Sequence, residues 1–323
     1  MTRVLTGIQS TGVPHLGNLL GAIIPAIKMA NTGDNESFLF IANLHSLTTI
    51  KDGDTLRNNT YGVAAAWLAF GLNPEKTVFY RQSDVPETTE LAWYLMCHFQ
   101  FQRLTLAHSF KDKAGRTSDI NAGLFNYPML MAADILLYDA NEVPVGKDQL
   151  QHIEMTRDVA QKINTSTGKD LLVIPEAVIE ENTTLIPGTD GGKMSKSRNN
   201  FINIFLSDKE LRKQVMKIET DSTPMEEAKD PENCNVFKLF KLLASESQTN
   251  ELAEKYRGGN FGYGHAKQAL YDLILVNFKE EREKFNYYIS NTDEIDSILS
   301  DGADKAREVA HKTLYRIRRE LGY

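Results

Sequence analysis

The chain of 323 residues has the composition of an ordinary globular protein, with 41% hydrophobic residues, 24% charged residues and 10 prolines, which excludes a disordered or fibrous chain. Its length exceeds that of most single compact units, so a large domain and a smaller one are expected. A net charge of −7 at pH 7 argues against a general nucleic-acid coat protein but permits a local basic surface.

Cysteine usage and the amino terminus both predict a cytoplasmic protein. Cys97 and Cys234 lie far apart and offer neither a disulfide framework nor metal-ligand spacing. Residues 1–7 lead straight into a strand-like segment without a secretory leader. The longest apolar stretch near them, residues 19–27, contains glycine and proline and is far short of the roughly 20 residues that cross a bilayer. We therefore expect neither secretion nor a membrane span.

In the first half of the chain, short apolar runs alternate with longer helix-like segments. They follow one another at residues 4–8, 19–29, 38–42, 56–70, 78–80, 89–99, 122–138, 143–145 and 149–164, and the unit closes near Val173. This alternation predicts a doubly wound, Rossmann-like α/β domain with a parallel sheet. Ligands of such a domain bind at the carboxyl ends of the strands.

After residue 205 the pattern becomes helical. Ser207 and Glu210 have capping-box spacing, and a polar stretch follows at residues 220–233. We therefore predict two domains, an α/β domain over residues 1–206 and a smaller helical domain over residues 207–323. The basic run at residues 312–319 is a candidate RNA contact, although such a run is more often only a solvated helix face.

Two loops carry residues suited to phosphate chemistry. Residues 7–21 join the first strand to the first helix, where glycines let the backbone approach a ligand and the helix amino terminus attracts phosphate. Residues 191–197 hold Lys193 and Lys196, whose ammonium groups can stabilise charge on departing pyrophosphate. Taken singly, the first loop has glycines that structure alone would explain, and a loop like the second is more often only a solvated turn.

Taken together, the two loops resemble the signatures of the class I aminoacyl-tRNA synthetases. Residues 15–18, His-Leu-Gly-Asn, resemble the HIGH motif, and residues 193–197 match the KMSKS motif in full. Asparagine in place of the second histidine resembles the tryptophan and tyrosine branch. Residues 127–138 look like the helix that lines the tryptophan pocket, and residues 144–152 look like the G-x-D-Q loop. Val145 stands where tyrosine enzymes more often carry a second glycine, which favours tryptophan.

The spacing of Tyr127, Met131 and Asp134 agrees with such a pocket, because i, i+4 and i+7 positions share one helix face. A carboxylate in an apolar wall needs partners, and an indole N–H can only donate. Pairing the two would satisfy both groups. The alternative is that Asp134 is a structural acid in an ion pair or at a helix end.

The resemblance implies an enzyme that activates L-tryptophan with ATP and transfers it to tRNA(Trp). It further implies that residues 1–206 bind ATP and tryptophan, that residues 207–323 contact the anticodon side of the tRNA, and that the protein is a homodimer. Lys193 and Lys196 are the implied catalytic residues. The implied ATP ligands are Gln9, Ser10, Thr11, His15, Gly17, Asn18, Gly21, Lys113, Gly146, Lys147, Asp148, Lys193, Met194, Ser195, Lys196 and Ser197. The implied tryptophan ligands are Gln9, His45, Tyr127, Met131, Asp134 and Gln149.

A dedicated metal site is not expected. Asp148 and His152 would share a helix face near Glu154, but too few further ligands lie nearby. Magnesium is instead expected to arrive with ATP, because this ion commonly keeps its waters and uses substrate phosphates as ligands.

Three positions depart from the family pattern. Leu5 stands where phenylalanine is frequent, Asn43 where aspartate is common before His45, and Arg198 where aspartate often follows KMSKS. The alternatives kept open are a tyrosine-specific synthetase, a noncatalytic RNA-binding relative and a small-molecule adenylyltransferase with a similar HIGH loop.

Overall fold

The computed structural model describes residues 1–107, 120–179 and 186–323. Within these ranges the strands are β1 (Arg3–Ile8), β2 (Glu36–Ile41), β3 (Thr77–Arg81), β4 (Glu142–Val145) and β5 (Glu176–Ile179). They form one parallel sheet in the order β3-β2-β1-β4-β5. The predicted α/β class with a parallel sheet is thus confirmed.

Helices cover both faces of the sheet, so β2, which is buried along nearly its whole length, appears in the sequence as an apolar run. The helices that follow the first four strands have these bounds: α1 (Leu16–Asn18), a π-helical turn (Leu19–Ile23), α2 (Ile24–Thr32), α3 (Asn43–Ser46), α4 (Gly53–Ala69), α5 (Glu87–His98), α6 (Phe101–Thr105), α7 (Ala122–Leu136) and α8 (Leu150–Thr167). The helices and strands predicted between residues 4 and 164 all lie within a few residues of these elements.

Strand β5 is a correction to the sequence analysis. The α/β unit was expected to close near Val173, but a further strand follows it. Three of the four residues of β5 are exposed, because β5 is an edge strand. It therefore lacks the buried apolar run by which the other strands were recognised.

The second half of the described chain is helical. Its helices are α9 (Asp208–Met216), α10 (Asn235–Leu243), α11 (Glu246–Gly258), α12 (Tyr263–Asn277), α13 (Lys279–Ser290) and α14 (Thr292–Leu321). Ser207 is the predicted amino-terminal cap of α9 and accepts the backbone N–H of Glu210. Among the described residues, no helix has both the length and the apolar composition needed to span a membrane.

The last helix, α14, packs against β3 and α5. Gly302 is its closest approach to the sheet, because an added Cβ there would lie 1.8 Å from the carbonyl oxygen of Phe79. The domain boundary between residues 206 and 207 stays a prediction. Residues before and after it pack into the same hydrophobic core on one face of the sheet.

Two arginines of the basic run on α14 bond to other parts of the protein. Arg316 pairs with Asp139 and donates from Nε to the carbonyl oxygen of Leu171 at 2.6 Å. Arg318 pairs with Glu90 of α5. Two of the three arginines proposed as RNA contacts thus fasten the helix to the α/β layer.

Candidate active site

A cavity of about 650 Å³ opens at the carboxyl ends of the strands. It lies beside the junction of β1 and β4, where the strand order reverses and doubly wound sheets bind their ligands. Its apolar wall includes Leu5, Phe40 and Val143. The cavity brings together nine of the predicted site residues: Gln9, Gly21, His45, Tyr127, Met131, Asp134, Gly146, Asp148 and Gln149.

Asp134 is the buried acid of this cavity and is only 2% exposed. His45 Nε2 lies 2.8 Å from its Oδ2, and Gln82 Nε2 donates to its Oδ1 at 2.7 Å. Burial raises the pKa of Asp134, while the hydrogen bonds from His45 and Gln82 oppose that rise. Each oxygen of an ionised carboxylate has two lone pairs, so Asp134 can still accept a hydrogen bond from a ligand.

Gln82 is a site residue that sequence reasoning missed. It follows β3 directly and is 1% exposed. Its Oε1 accepts the backbone N–H groups of Leu44 at 3.1 Å and His45 at 3.3 Å. The available signal was its position after a predicted strand, where ligand-binding residues of this fold concentrate.

A second chain of hydrogen bonds begins at Tyr127, on the same helix as Asp134. The Tyr127 hydroxyl lies 2.7 Å from His152 Nε2, and His152 Nδ1 lies 2.9 Å from Gln149 Oε1. Gln149 donates to Asp148 at 3.2 Å. His152, considered above as a metal ligand, therefore links two predicted tryptophan ligands to each other.

The HIGH-like residues form a separate cluster with the KMSKS loop (residues 193–197). His15 caps α1: its Nδ1 accepts the N–H of Asn18, and the Asn18 side chain accepts the N–H of His15, both at 3.2 Å. The N–H of Gly17 donates to the sulfur of Met194 at 3.2 Å. An added Cβ at Gly17 would meet both the His15 ring and Met194, so glycine permits this contact.

Lys196 reaches across to the first loop. An added Cβ on Gly12, whose φ is +129°, would lie 3.0 Å from the Lys196 ammonium. Burial lowers the pKa of Lys196 to about 8. Burial, with the nearby Lys196 charge, lowers the pKa of His15 to about 4, so His15 is neutral at pH 7. Lys193 is exposed.

A buried asparagine, which sequence reasoning also missed, holds the KMSKS loop in place. Asn200 Nδ2 donates to Asp190 at 2.7 Å and to the carbonyl oxygen of Lys193 at 3.0 Å. Its Oδ1 accepts the N–H of Ser195 at 2.7 Å. One side chain thus fixes both ends of the loop's first turn.

The remaining predicted residues are not gathered at the cavity. The Ser10 hydroxyl is buried and donates to Ser46 at 3.1 Å, while Thr11, Lys147 and Ser197 are exposed. Lys113 lies outside the described residues. Of the departures, Leu5 lines the cavity and Arg198 is exposed. Asn43 exchanges two hydrogen bonds with Ser83, at 2.8 and 3.0 Å, which join the segments after β2 and β3.

Comparison with known proteins agrees with this geometry. The family model of class I tRNA synthetases (W and Y) matches residues 1–279. A tryptophan–tRNA ligase of Campylobacter jejuni is 46% identical over 320 residues, which cover 99% of both chains. One of Fusobacterium nucleatum is 45% identical over 322 residues, covering 100% of this chain and 98% of the relative.

A solved structure is similar over the whole length. The crystal structure of tryptophanyl-tRNA synthetase from Campylobacter jejuni complexed with ADP and tryptophan has a TM-score of 0.96 and 46% identity, with 100% of both chains covered. The match of the family model and the full-length likeness, together with the two signature loops brought into contact, establish that this protein belongs to the class I tRNA synthetases of the tryptophan and tyrosine family.

Proposed function

We propose that this protein is a tryptophan–tRNA ligase, which activates L-tryptophan with ATP and charges tRNA(Trp). The structural observation that supports an aromatic amino acid with a hydrogen-bond donor is Asp134, a buried acceptor in a cavity with a largely apolar wall, and the relatives decide for tryptophan over tyrosine. Indole Nε1–H is a donor without acceptor capacity, so a carboxylate is its natural partner. The full-length likeness to tryptophan–tRNA ligases supports the same substrate.

In the first step, a carboxylate oxygen of tryptophan attacks the α-phosphorus of ATP. An O–P bond forms, the bond to the β-phosphate breaks, and pyrophosphate leaves. The protein needs to position the reactants and stabilise the charge that develops on the leaving group. Lys193 and Lys196 supply cations, and the neutral His15 adds no positive charge of its own. Magnesium enters with ATP as part of the substrate.

In the second step, a hydroxyl of the terminal tRNA ribose attacks the carbonyl carbon of the adenylate, and AMP leaves. The helical segment, residues 207–323, is proposed to contact the anticodon side of the tRNA. Because Arg316 and Arg318 are paired internally, the exposed cations of α14 left for RNA include Lys312 and Arg319.

A cytoplasmic homodimer is also part of the proposal. A groove of about 430 Å³ beside α3, α5 and α7 is lined by Leu47, Met96 and Leu130. Leu47 is 43% exposed, and Trp93 on the same helix as Met96 is 63% exposed. Such exposed apolar surface fits an interface with a second copy. Sedimentation equilibrium of the parent and of Trp93→Glu tests it, and a monomeric parent would contradict it.

Charging of tRNA tests the whole proposal. Purified protein is incubated with ATP, labelled tryptophan or tyrosine, and transcripts of tRNA(Trp) and tRNA(Tyr). We expect label from tryptophan on tRNA(Trp) alone. Charging of tRNA(Tyr) with tyrosine would assign the protein to the other branch, and charging of neither would contradict a ligase.

A further inference from the structure

Gln82 connects the end of β3 to two helices that carry residues of the amino-acid cavity, α3 with His45 and α7 with Asp134. It stands at the end of β3, yet both of its polar atoms bond elsewhere: Oε1 to the N–H groups of Leu44 and His45 at the start of α3, and Nε2 to Asp134 on α7. One side chain thus joins three elements. An amide is suited to this position because it donates at one end and accepts at the other.

The contacts of Gln82 are buried, so they are costly to lose. Asp134 and Gln82 are 2% and 1% exposed, and the His45 side chain that completes the group is 7% exposed. Removing one partner of a buried polar group leaves the other unsatisfied, which costs more than the bond itself contributes. The group therefore has one favoured arrangement, with Asp134 Oδ1 bound to Gln82 and Oδ2 to His45.

We propose that Gln82 is a positioning residue for amino-acid selection, which orients Asp134 and the first turn of α3 so that the remaining lone pairs of the carboxylate meet the indole N–H. This inference rests on the proposed function. Gln82 does not line the cavity itself, so it acts through Asp134 and His45 rather than by touching the amino acid.

The hydrogen bond from Gln82, like the stronger influence of His45, opposes the rise in the pKa of Asp134 that burial causes. Hydrogen bonds to the charged form of a carboxylate lower its pKa, which offsets the effect of burial. The other ionisable groups around Asp134 are His45 on α3, Tyr80 on β3 and Tyr138 after α7, and burial raises the pKa of both phenols. Without the Gln82 donor, the pKa of Asp134 rises and the carboxylate is lost at a higher pH.

Two substitutions separate the functions of the amide. Gln82→Met has similar volume and removes both polar atoms, whereas Gln82→Glu keeps an acceptor for Leu44 and His45 but replaces the donor to Asp134. Asn164→Leu is the matched control. Asn164 is another buried amide that bonds backbone groups, at Leu171 and Leu172, away from the cavity.

The first readout is the ratio of kcat/KM for tryptophan to that for its benzothiophene analogue, in which sulfur replaces the indole N–H, measured by ATP–pyrophosphate exchange. We expect both Gln82 variants to lower this ratio by about tenfold or more, with the KM for ATP unchanged. The acidic limb of the tryptophan pH profile should move to higher pH. Asn164→Leu should change neither quantity.

The second readout does not depend on activity. Carbon-13 NMR of the Asp134 carboxyl, assigned with Asp134→Asn, follows its titration in the parent and both variants. We expect a higher pKa in each Gln82 variant. An unchanged Asp134 titration and an unchanged analogue ratio in a folded Gln82→Met protein, which adds no charge, would overturn the inference. Absent exchange with tryptophan in the parent, beside a shifted titration, would instead contradict the proposed function.

Discussion

The amino-acid cavity is bounded by strand ends and by helix α7, and its polar side chains are buried and bonded to one another. The KMSKS loop is bounded differently. Asn200 secures its first turn, Met194 joins it to Gly17, and the Lys193 side chain is exposed. The cavity therefore has the rigidity that selection between similar amino acids needs. The loop has the cations that a departing pyrophosphate needs, one exposed (Lys193) and one half-buried (Lys196).

The largest expected effect separates the loop from the cavity. Lys193→Ala or Lys196→Ala should lower the rate of adenylate formation by about 100-fold or more, or about 3 kcal/mol, because each lysine stabilises charge that develops on pyrophosphate. Tryptophan binding, measured by calorimetry, should stay close to that of the parent. Near-parent activation rates in both variants at saturating ATP would remove this loop from catalysis.

The converse test is Asp134→Asn. The amide still offers an acceptor, but it lacks charge and can present its donors to the indole N–H. The kcat/KM for tryptophan should therefore fall by an amount equivalent to about 1 to 3 kcal/mol of lost transition-state stabilisation. The KM for ATP should not change. Exchange with tryptophan and with the benzothiophene analogue measures the selectivity. If the variant keeps the parent's preference, Asp134 is a structural acid only.

Asn200→Ala tests whether the loop depends on its buried anchor. The change leaves the N–H of Ser195 and the carboxylate of Asp190 without this partner. The free energy that stabilises the ordered loop should fall by roughly 1 to 2 kcal/mol. We expect activation to slow by about tenfold while tryptophan selectivity is unchanged. A parallel loss of selectivity would show that loop and cavity are not independent.

The kcat/KM for ATP should depend on pH through the charge of Lys196. Burial lowers the pKa of Lys196 to about 8, so its charge is present below that pH and lost above it. The kcat/KM for ATP, which reports the free enzyme, should fall as pH rises through about 8. Lys196→Arg keeps its charge over this range, so it should shift that limb upward. An identical alkaline limb in both proteins would assign it to another group.

The smallest expected effect on activity concerns α14. Arg316→Ala removes charge-assisted bonds to Asp139 and Leu171, and it should lower the free energy of unfolding by about 1 to 3 kcal/mol. Exchange activity at 25 °C should persist.

The double variant Lys312→Gln with Arg319→Gln should instead preserve stability and reduce the salt dependence of tRNA binding. Equal salt slopes in the parent and this double variant would exclude these two residues as phosphate contacts.

The sequence was most informative where local spacing decides the structure. Tyr127, Met131 and Asp134 share a helix face by periodicity alone, and buried strands appear as apolar runs. Gln82, by contrast, gains its importance from Asp134, which lies 52 residues further along the chain. Tertiary contact of this kind leaves no periodic signal.

The same limit explains two features at the edges of the molecule that the sequence pattern did not reveal. Strand β5 is mostly exposed and carries no buried run. The arginines of α14 have the pattern of a solvated basic face, but Arg316 meets Asp139 at a separation of 177 residues. Charge patterns identify a helix face that can bind anions, and only the folded chain decides whether a carboxylate of the protein occupies it.

The most direct test of the division between a selecting cavity and a catalytic loop is amino-acid-dependent ATP–pyrophosphate exchange, measured with tryptophan and tyrosine on the parent, Asp134→Asn and Lys196→Ala. We predict exchange with tryptophan and not tyrosine in the parent, reduced selectivity in Asp134→Asn, and reduced rate with selectivity retained in Lys196→Ala. Exchange with tyrosine in the parent, or equal losses of selectivity in both variants, would contradict the account.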